Sequence, residues 1–110
     1  MVLTTKKEIR QHFRDAVFKR DNYVCRKCGA KDSKLDAHHI TDRHDMPNGG
    51  YVAENGISLC ETCHALAEVW HASGQANFET GYHPDDLYKL INSSWAEAWE
   101  ASEMRDTLNG

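Results

Sequence analysis

Residues 35–64 read LDAHHITDRHDMPNGGYVAENGISLCETCH, and the fold turns on how this stretch is parsed. Leu35–Ile40 reads as a short strand. Thr41–Tyr51 is a loop rich in turn formers, with Pro47-Asn48-Gly49-Gly50 at its tip. Glu54-Asn55-Gly56 is a further turn, and Ile57-Ser58-Leu59 is a second short strand that pairs with the first as a hairpin. A helix begins near Glu61 and runs through Val69-Trp70-His71, with Glu61 and Thr62 suited to its positive end. Two sets of metal-binding residue types are interleaved on this frame: cysteines at 60 and 63, and histidines at 38, 39 and 64.

The cysteines extend the reading upstream. Cys25, Cys28, Cys60 and Cys63 form C-x2-C-x31-C-x2-C. A tetrahedral Zn2+ takes four soft ligands, and each CxxC pair delivers two from one tight turn. Gly29, after the second cysteine, suits the turn of a zinc knuckle. A metal held by all four sulfurs would be structural and would carry much of the folding free energy of so small a domain. Rubredoxin-like electron carriers, with iron in place of zinc, use a similar spacing. They usually carry glycine after each pair, whereas His64 follows the second pair here.

Further outward, residues 5–20 read as a helix. Thr5 and Glu8 form a capping-box pattern. Ile9, Phe13, Ala16 and Val17 make its buried stripe, while Lys6, Arg10 and Arg14 share another face. Asp21-Asn22 ends it, and Ala30 to Lys34 is a polar connection. Ser73 to Gly81 is a linker. Pro84 with Asp85 and Asp86 starts a C-terminal helix carrying Leu87, Leu90, Ile91, Trp95, Ala98 and Trp99 at i, i+3, i+4 spacing, with a break expected at Ser93-Ser94.

Seven histidines occur, six of them after residue 37. On a helix over 61–72, His64, Glu68 and His71 lie near one face. His38 lies on a strand that packs against that helix, so His38 and His64 can meet as two ligands with open positions for water and substrate. His39 would point to the other face of a regular strand, so for both to serve one site the strand must twist or end there.

Asp36-Ala37-His38-His39-Ile40, then Asn55, then Leu59-Cys60-x-x-Cys63-His64, resembles an HNH endonuclease of the subgroup with two zinc-knuckle CxxC pairs. The lead-in Phe18-Lys19-Arg20-Asp21-Asn22-Tyr23-Val24-Cys25 is similar to that family as well, and the likeness covers roughly residues 13–71. The resemblance implies an α+β fold: a small ββα-metal (His-Me finger) core over about 13–72, one domain in all over 1–110. An N-terminal helix and a C-terminal helical extension over 82–108 flank it. It also implies roles. His39 would be the general base, His38 and His64 the ligands of a catalytic divalent metal, and Asn55 the brace that orients the base. Relatives often carry Asp where His38 stands, and an imidazole pair suits Mn2+, Ni2+, Co2+ or Zn2+ better than Mg2+. Many relatives carry another histidine four residues after the last one. Glu68 stands there, which puts a third protein ligand in doubt and leaves His71 as a weaker candidate.

The chemistry is coherent with these residues. A neutral histidine, with an unperturbed pKa near ~6.5, can take a proton from water near neutral pH. A metal on His38 and His64 can bind the scissile phosphate and neutralise the leaving 3′ oxygen, giving 5′-phosphate and 3′-hydroxyl ends. Arg43, just after the ribbon, is a candidate phosphate clamp, and His44 a weaker one. The expectation is a metal-dependent DNA endonuclease that cuts one strand per active site, with Mn2+, Mg2+, Ni2+ or Zn2+ as catalytic metal. The alternatives are a non-catalytic zinc-stabilised DNA-binding module and, more remotely, an electron carrier.

Net charge is −4, but residues 1–34 hold ten of the thirteen Lys and Arg against four acids, a balance of +6 that leaves −10 for the rest. That asymmetry can present a basic face to a phosphate backbone. No apolar run of about 18 residues predicts a membrane span. The first seven residues lack the apolar region of a signal peptide, so the expected compartment is the cytoplasm, where CxxC pairs stay reduced. Trp95 and Trp99 offer a dimer surface or simply pack on their own domain, so monomer and homodimer both stand.

Overall fold

The computed structural model describes residues 5–31 and 34–109, with side chains to Arg105. The first four residues, part of the polar connection (Asp32-Ser33) and Gly110 lie outside the described residues, and with them most of the seven-residue start read as lacking a signal segment. The element order is α1 (Lys6–Arg20), β1 (Leu35–His39), β2 (Gly56–Cys60), α2 (Glu61–Ala72), α3 (Pro84–Leu90) and α4 (Trp95–Asn109), with short 3-10 turns at Arg43–Asp45, Pro47–Gly50 and Ala53–Asn55 between the strands. This is the small α+β arrangement anticipated. Among the described residues, no helix is long and apolar enough to cross a membrane.

The hairpin forms in the expected register, antiparallel, with Ala37 opposite Ser58 and His38 opposite Ile57. β1 ends at His39, one residue short of Ile40. Every residue of β2 is buried, because α1 covers one side and α2 packs on the other. Gly56 permits the close approach of α1: a Cβ there would lie 2.5 Å from Val17 Cγ2 and 2.8 Å from the Phe13 ring.

α1 begins where its cap predicts, with the Glu8 amide donating to Thr5 Oγ1 at 3.1 Å. Phe13 and Val17 form its buried stripe. At its end the chain makes a junction that the sequence did not reveal. The Asp21 carboxylate accepts from Arg20 Nε and Nη2 (2.8 Å each), from Arg26 Nη1 (3.1 Å) and from the Ser58 amide (2.9 Å). Arg20 also donates to the carbonyls of Ala53 and Gly56, and Arg26 to that of Leu90. Lys27 donates to the Gly81 carbonyl and sits over the Tyr82 ring. Three of the ten N-terminal cations therefore hold the domain together, and the basic surface is smaller than the charge count implied.

The C-terminal region splits as predicted, at a turn where Asn92 has φ +55°. The split resets the helical phase. Leu87 and Ile91 are buried, but α4 turns Ala98 and Ser102 inward against the Pro47–Gly50 and Ala53–Asn55 turns. Trp95 and Trp99, expected in the same buried stripe, remain 50% and 37% exposed and pack on each other. Small residues face the loop because the backbones approach closely there: Asn48 Nδ2 donates to the Ser102 carbonyl at 2.9 Å.

Candidate functional site

The two cysteine knuckles come together at the α2 N-terminus. The four sulfurs of Cys25, Cys28, Cys60 and Cys63 all lie within 4.8 Å of one another, and none is in a disulfide. Each knuckle turns a backbone amide onto its first sulfur, Cys28 N to Cys25 Sγ and Cys63 N to Cys60 Sγ, both at 3.5 Å. Gly29 makes its turn with φ +82°. Cys60 is both the last residue of β2 and the N-cap of α2, so two of the sulfurs sit at the positive end of a helix. As bare thiols the four conflict. Burial, together with the neighbouring sulfurs, pushes Cys63 up to about 12. Against burial, backbone amides bring Cys25 down to about 6. A dication removes the conflict by taking all four as thiolates, so the donor set fits zinc.

A second donor set lies beyond the hairpin. His38, His64 and Glu68 bring one donor atom each within 4.8 Å of the others. The His38 side chain is 2% exposed, and its Nδ1 is buried without a hydrogen-bond partner. That nitrogen stands 3.3 Å from Glu68 Oε1 without hydrogen-bond alignment. A buried, unpaired imidazole nitrogen aimed at a carboxylate and a second imidazole fits a cation ligand. Burial, first of all, keeps the His38 pKa below its ordinary value, so the ring is in its neutral, ligating form. The adjacent His38 imidazole holds the Glu68 carboxyl down to about 2.

His64 makes two contacts through opposite nitrogens, Nδ1 to Asp36 Oδ2 at 3.1 Å and Nε2 to Glu68 Oε1 at 3.2 Å. Asp36 thus supports the ring from behind and leaves Nε2 to face the cation site, as outer carboxylates commonly do for ligating histidines. Glu68 and Asp36 were not among the predicted ligands and supports. The signal for Glu68 was its i+4 spacing from His64. Asp36 stood in the quoted motif, but its target lies on α2. His71 does not join the donor set. Its Nε2 lies 3.0 Å from the His39 carbonyl oxygen, although its ring centroid is 5.3 Å from that of His38.

The strand alternation places His38 and His39 on opposite sides of the ribbon. His38 faces α2. His39 stacks on Phe13 of α1 with ring centroids 4.5 Å apart and meets Tyr51 edge-on at 4.7 Å. Its Nε2 is buried and has no hydrogen-bond partner. Burial, first of all, pushes its pKa down to about 4, so it is neutral at pH 7.

Asn55 is fully buried and braces the loop between the strands. Its Oδ1 accepts from the Thr41 amide (3.0 Å) and from the Tyr88 hydroxyl (2.7 Å). Its Nδ2 donates to the carbonyls of Thr41 (3.0 Å) and Gly50 (3.2 Å). Its own carbonyl accepts from the Ile40 amide at 2.9 Å, one residue past His39. Arg43 is exposed on the first turn after the ribbon and lies against Tyr51, which also meets the His39 ring. His44 is exposed beside it and belongs to neither donor set.

The HNH endonuclease family model matches residues 25–68, from the first cysteine to the last residue of the His38–His64–Glu68 set. That match points to a nuclease or nucleic-acid-binding role, and the two donor sets to metal binding. No curated protein and no solved structure matches the chain.

Proposed function

We propose that this protein, whose residues 25–68 match the HNH endonuclease family model, is a divalent-metal-dependent DNA endonuclease that nicks one strand at a time. The observation that carries the reading is the convergence of His38, His64 and Glu68 at the edge of a ribbon whose last residue is His39. A divalent cation held by these three would neutralise charge on the scissile phosphate and on the leaving 3′ oxygen. Mn2+, Ni2+ and Zn2+ suit two imidazoles better than Mg2+ does. The four cysteines hold a structural zinc and keep β2 and α2 in place.

His39 takes the proton from the attacking water. Its Nε2 is walled in by Phe13 and Tyr51, so Nδ1 receives that proton. Water attacks phosphorus, the P–O3′ bond breaks, and the products carry 5′-phosphate and 3′-hydroxyl ends. In-line displacement puts entering and leaving oxygens on opposite sides of phosphorus. A base on one side of the ribbon and a cation site on the other are therefore compatible with one phosphate lying across the ribbon's end. Asn55 fixes the backbone that presents His39, and Arg43 contacts a phosphate.

Binding without cleavage is the second reading, favoured by the tight packing of the His39 ring. Supercoiled plasmid separates the two. Zinc-loaded protein with added Mn2+ or Ni2+ should convert supercoiled DNA to relaxed circles, and His39→Ala should abolish this with unchanged circular dichroism. Binding with no relaxed circles under any metal would overturn the endonuclease reading. Cutting by His39→Ala at the parent rate would remove the base assignment.

A further inference from the structure

Beside His39, on the side away from the donor set, lies a cavity of ≈ 240 Å³ lined by Lys6, Ile9, Arg10, Arg43, Asn48, Tyr51 and Arg105. Four of its seven lining residues are cationic and none is acidic. They come from three places: Lys6 and Arg10 from α1, Arg43 from the loop after the ribbon, and Arg105 from α4. Asp42, which does not line the cavity, is the carboxylate that acts on Arg43. Lys6 and Arg10 stand at i and i+4, where like charges destabilise a helix. Gathering four cations around one cavity is unfavourable unless an anion enters.

Two further observations point to an anion. Arg105 Nε is buried and has no hydrogen-bond partner, while Nη2 of the same side chain donates to the Asn48 carbonyl at 2.7 Å. Arg105 is therefore anchored by one nitrogen with another donor left unpaired. Tyr51 reports the local field: burial raises the pKa of its phenol, but the guanidinium groups of Arg43 and Arg10 outweigh burial and the net shift is downward.

We infer that this cavity is a phosphate subsite that grips an internal phosphodiester of the bound DNA strand next to the one being cut. Tyr51 is the shared wall, edge-on to His39 and lining the cavity, so a strand whose scissile phosphate lies at His39 runs on into the cluster. Lys6, Arg10 and Arg105 lie outside residues 25–68, so the grip is an addition by the flanking helices to the matched segment. The inference rests on the DNA-cleavage reading for its partner. The shared chemistry is a phosphate group, and a 5′-terminal phosphate is the other possible source.

The test is equilibrium binding of the zinc-loaded protein, residues 1–110, with no added divalent metal, to duplexes bearing 5′-hydroxyl or 5′-phosphate ends over a salt series. Each of Arg10→Gln and Arg43→Gln should make the log affinity–log salt slope shallower by about 0.9, equally for both duplexes. The loss of affinity between 50 and 200 mM salt then shrinks about threefold per variant. Lys89→Gln, an exposed cation on α3 that does not line the cavity, should leave the slope as it is. Unchanged slopes for Arg10→Gln and Arg43→Gln overturn the inference, as does an equal change for Lys89→Gln. An effect confined to the 5′-phosphate duplex also overturns it, in favour of an end-phosphate receptor. If plasmid stays intact under every metal but the slopes fall as stated, the cleavage reading fails and the subsite stands. If plasmid is cut and the slopes do not move, the subsite alone fails.

Discussion

The Tyr88 hydroxyl donates to Asn55 Oδ1 at 2.7 Å, joining a helix outside the matched segment to the residue that braces the loop within it. With this bond Asn55 uses both acceptor positions of its oxygen and both donors of its nitrogen. Burial raises the Tyr88 pKa to about 12, so the phenol keeps the proton it donates.

That saturation makes Asn55 intolerant of its closest isostere. Asn55→Asp removes the donors to Thr41 and Gly50 and buries a charge, and should cost about 3 kcal/mol or more. Tyr88→Phe removes one bond and should cost about 1 to 2 kcal/mol. Urea unfolding of the zinc-loaded proteins measures both. Equal costs would mean that the four bonds are not the reason for the asparagine.

Asp21 should make stability acid-sensitive. Burial raises its pKa, but Arg20 and the Ser58 amide outweigh burial, so the folded value lies below the ordinary 3.8. Between the two values the unfolded chain binds more protons. The contribution of Asp21 is then fully present above pH ~3.8 and is lost as pH falls through the folded value. Asp21→Asn should cost about 3 kcal/mol at pH 7, because it leaves two guanidinium groups without their anion. The gap between the two proteins should narrow below pH ~3.8. A gap that stays constant with pH would show that the carboxylate's charge is not what matters.

The two donor sets should separate by mutation. Cys60→Ser should lose zinc together with helical circular dichroism. His64→Ala should keep zinc and the helical signal while losing the second divalent cation. Asp36→Asn, at the residue that contacts the back of the His64 ring, should weaken binding of that cation by about 10 to 100-fold. Metal analysis and Mn2+ titration check all three. Loss of the helical signal in His64→Ala would show that the two sites are not independent.

What was legible in the sequence was local. The strands, the α2 start and the first helix cap follow from turn formers, CxxC spacing and the Thr5–Glu8 pair, signals that each lie within a few residues of the element they mark. What was not legible depends on partners far along the chain. Arg20 and Arg26 counted as surface charge because their shared anion site is built with Ser58. Glu68 became a third donor only when the strand carrying His38 lay across α2. Trp95 and Trp99 continued the apolar spacing of Leu87 and Ile91, but the turn at Asn92 changed the helical phase and left them outside.

Cys60, Cys63, His64 and Glu68 ride on one helix start, so the phase of α2 is common to both donor sets. One residue inserted between Cys63 and His64 would preserve every ligand and both CxxC motifs. It would nonetheless swing His64 and Glu68 by roughly 100° about the helix axis, away from His38. The cysteine set therefore acts as the reference mark from which the histidine set is measured. The gap between Cys63 and His64 cannot drift in length without silencing the second set, however well its residues are kept.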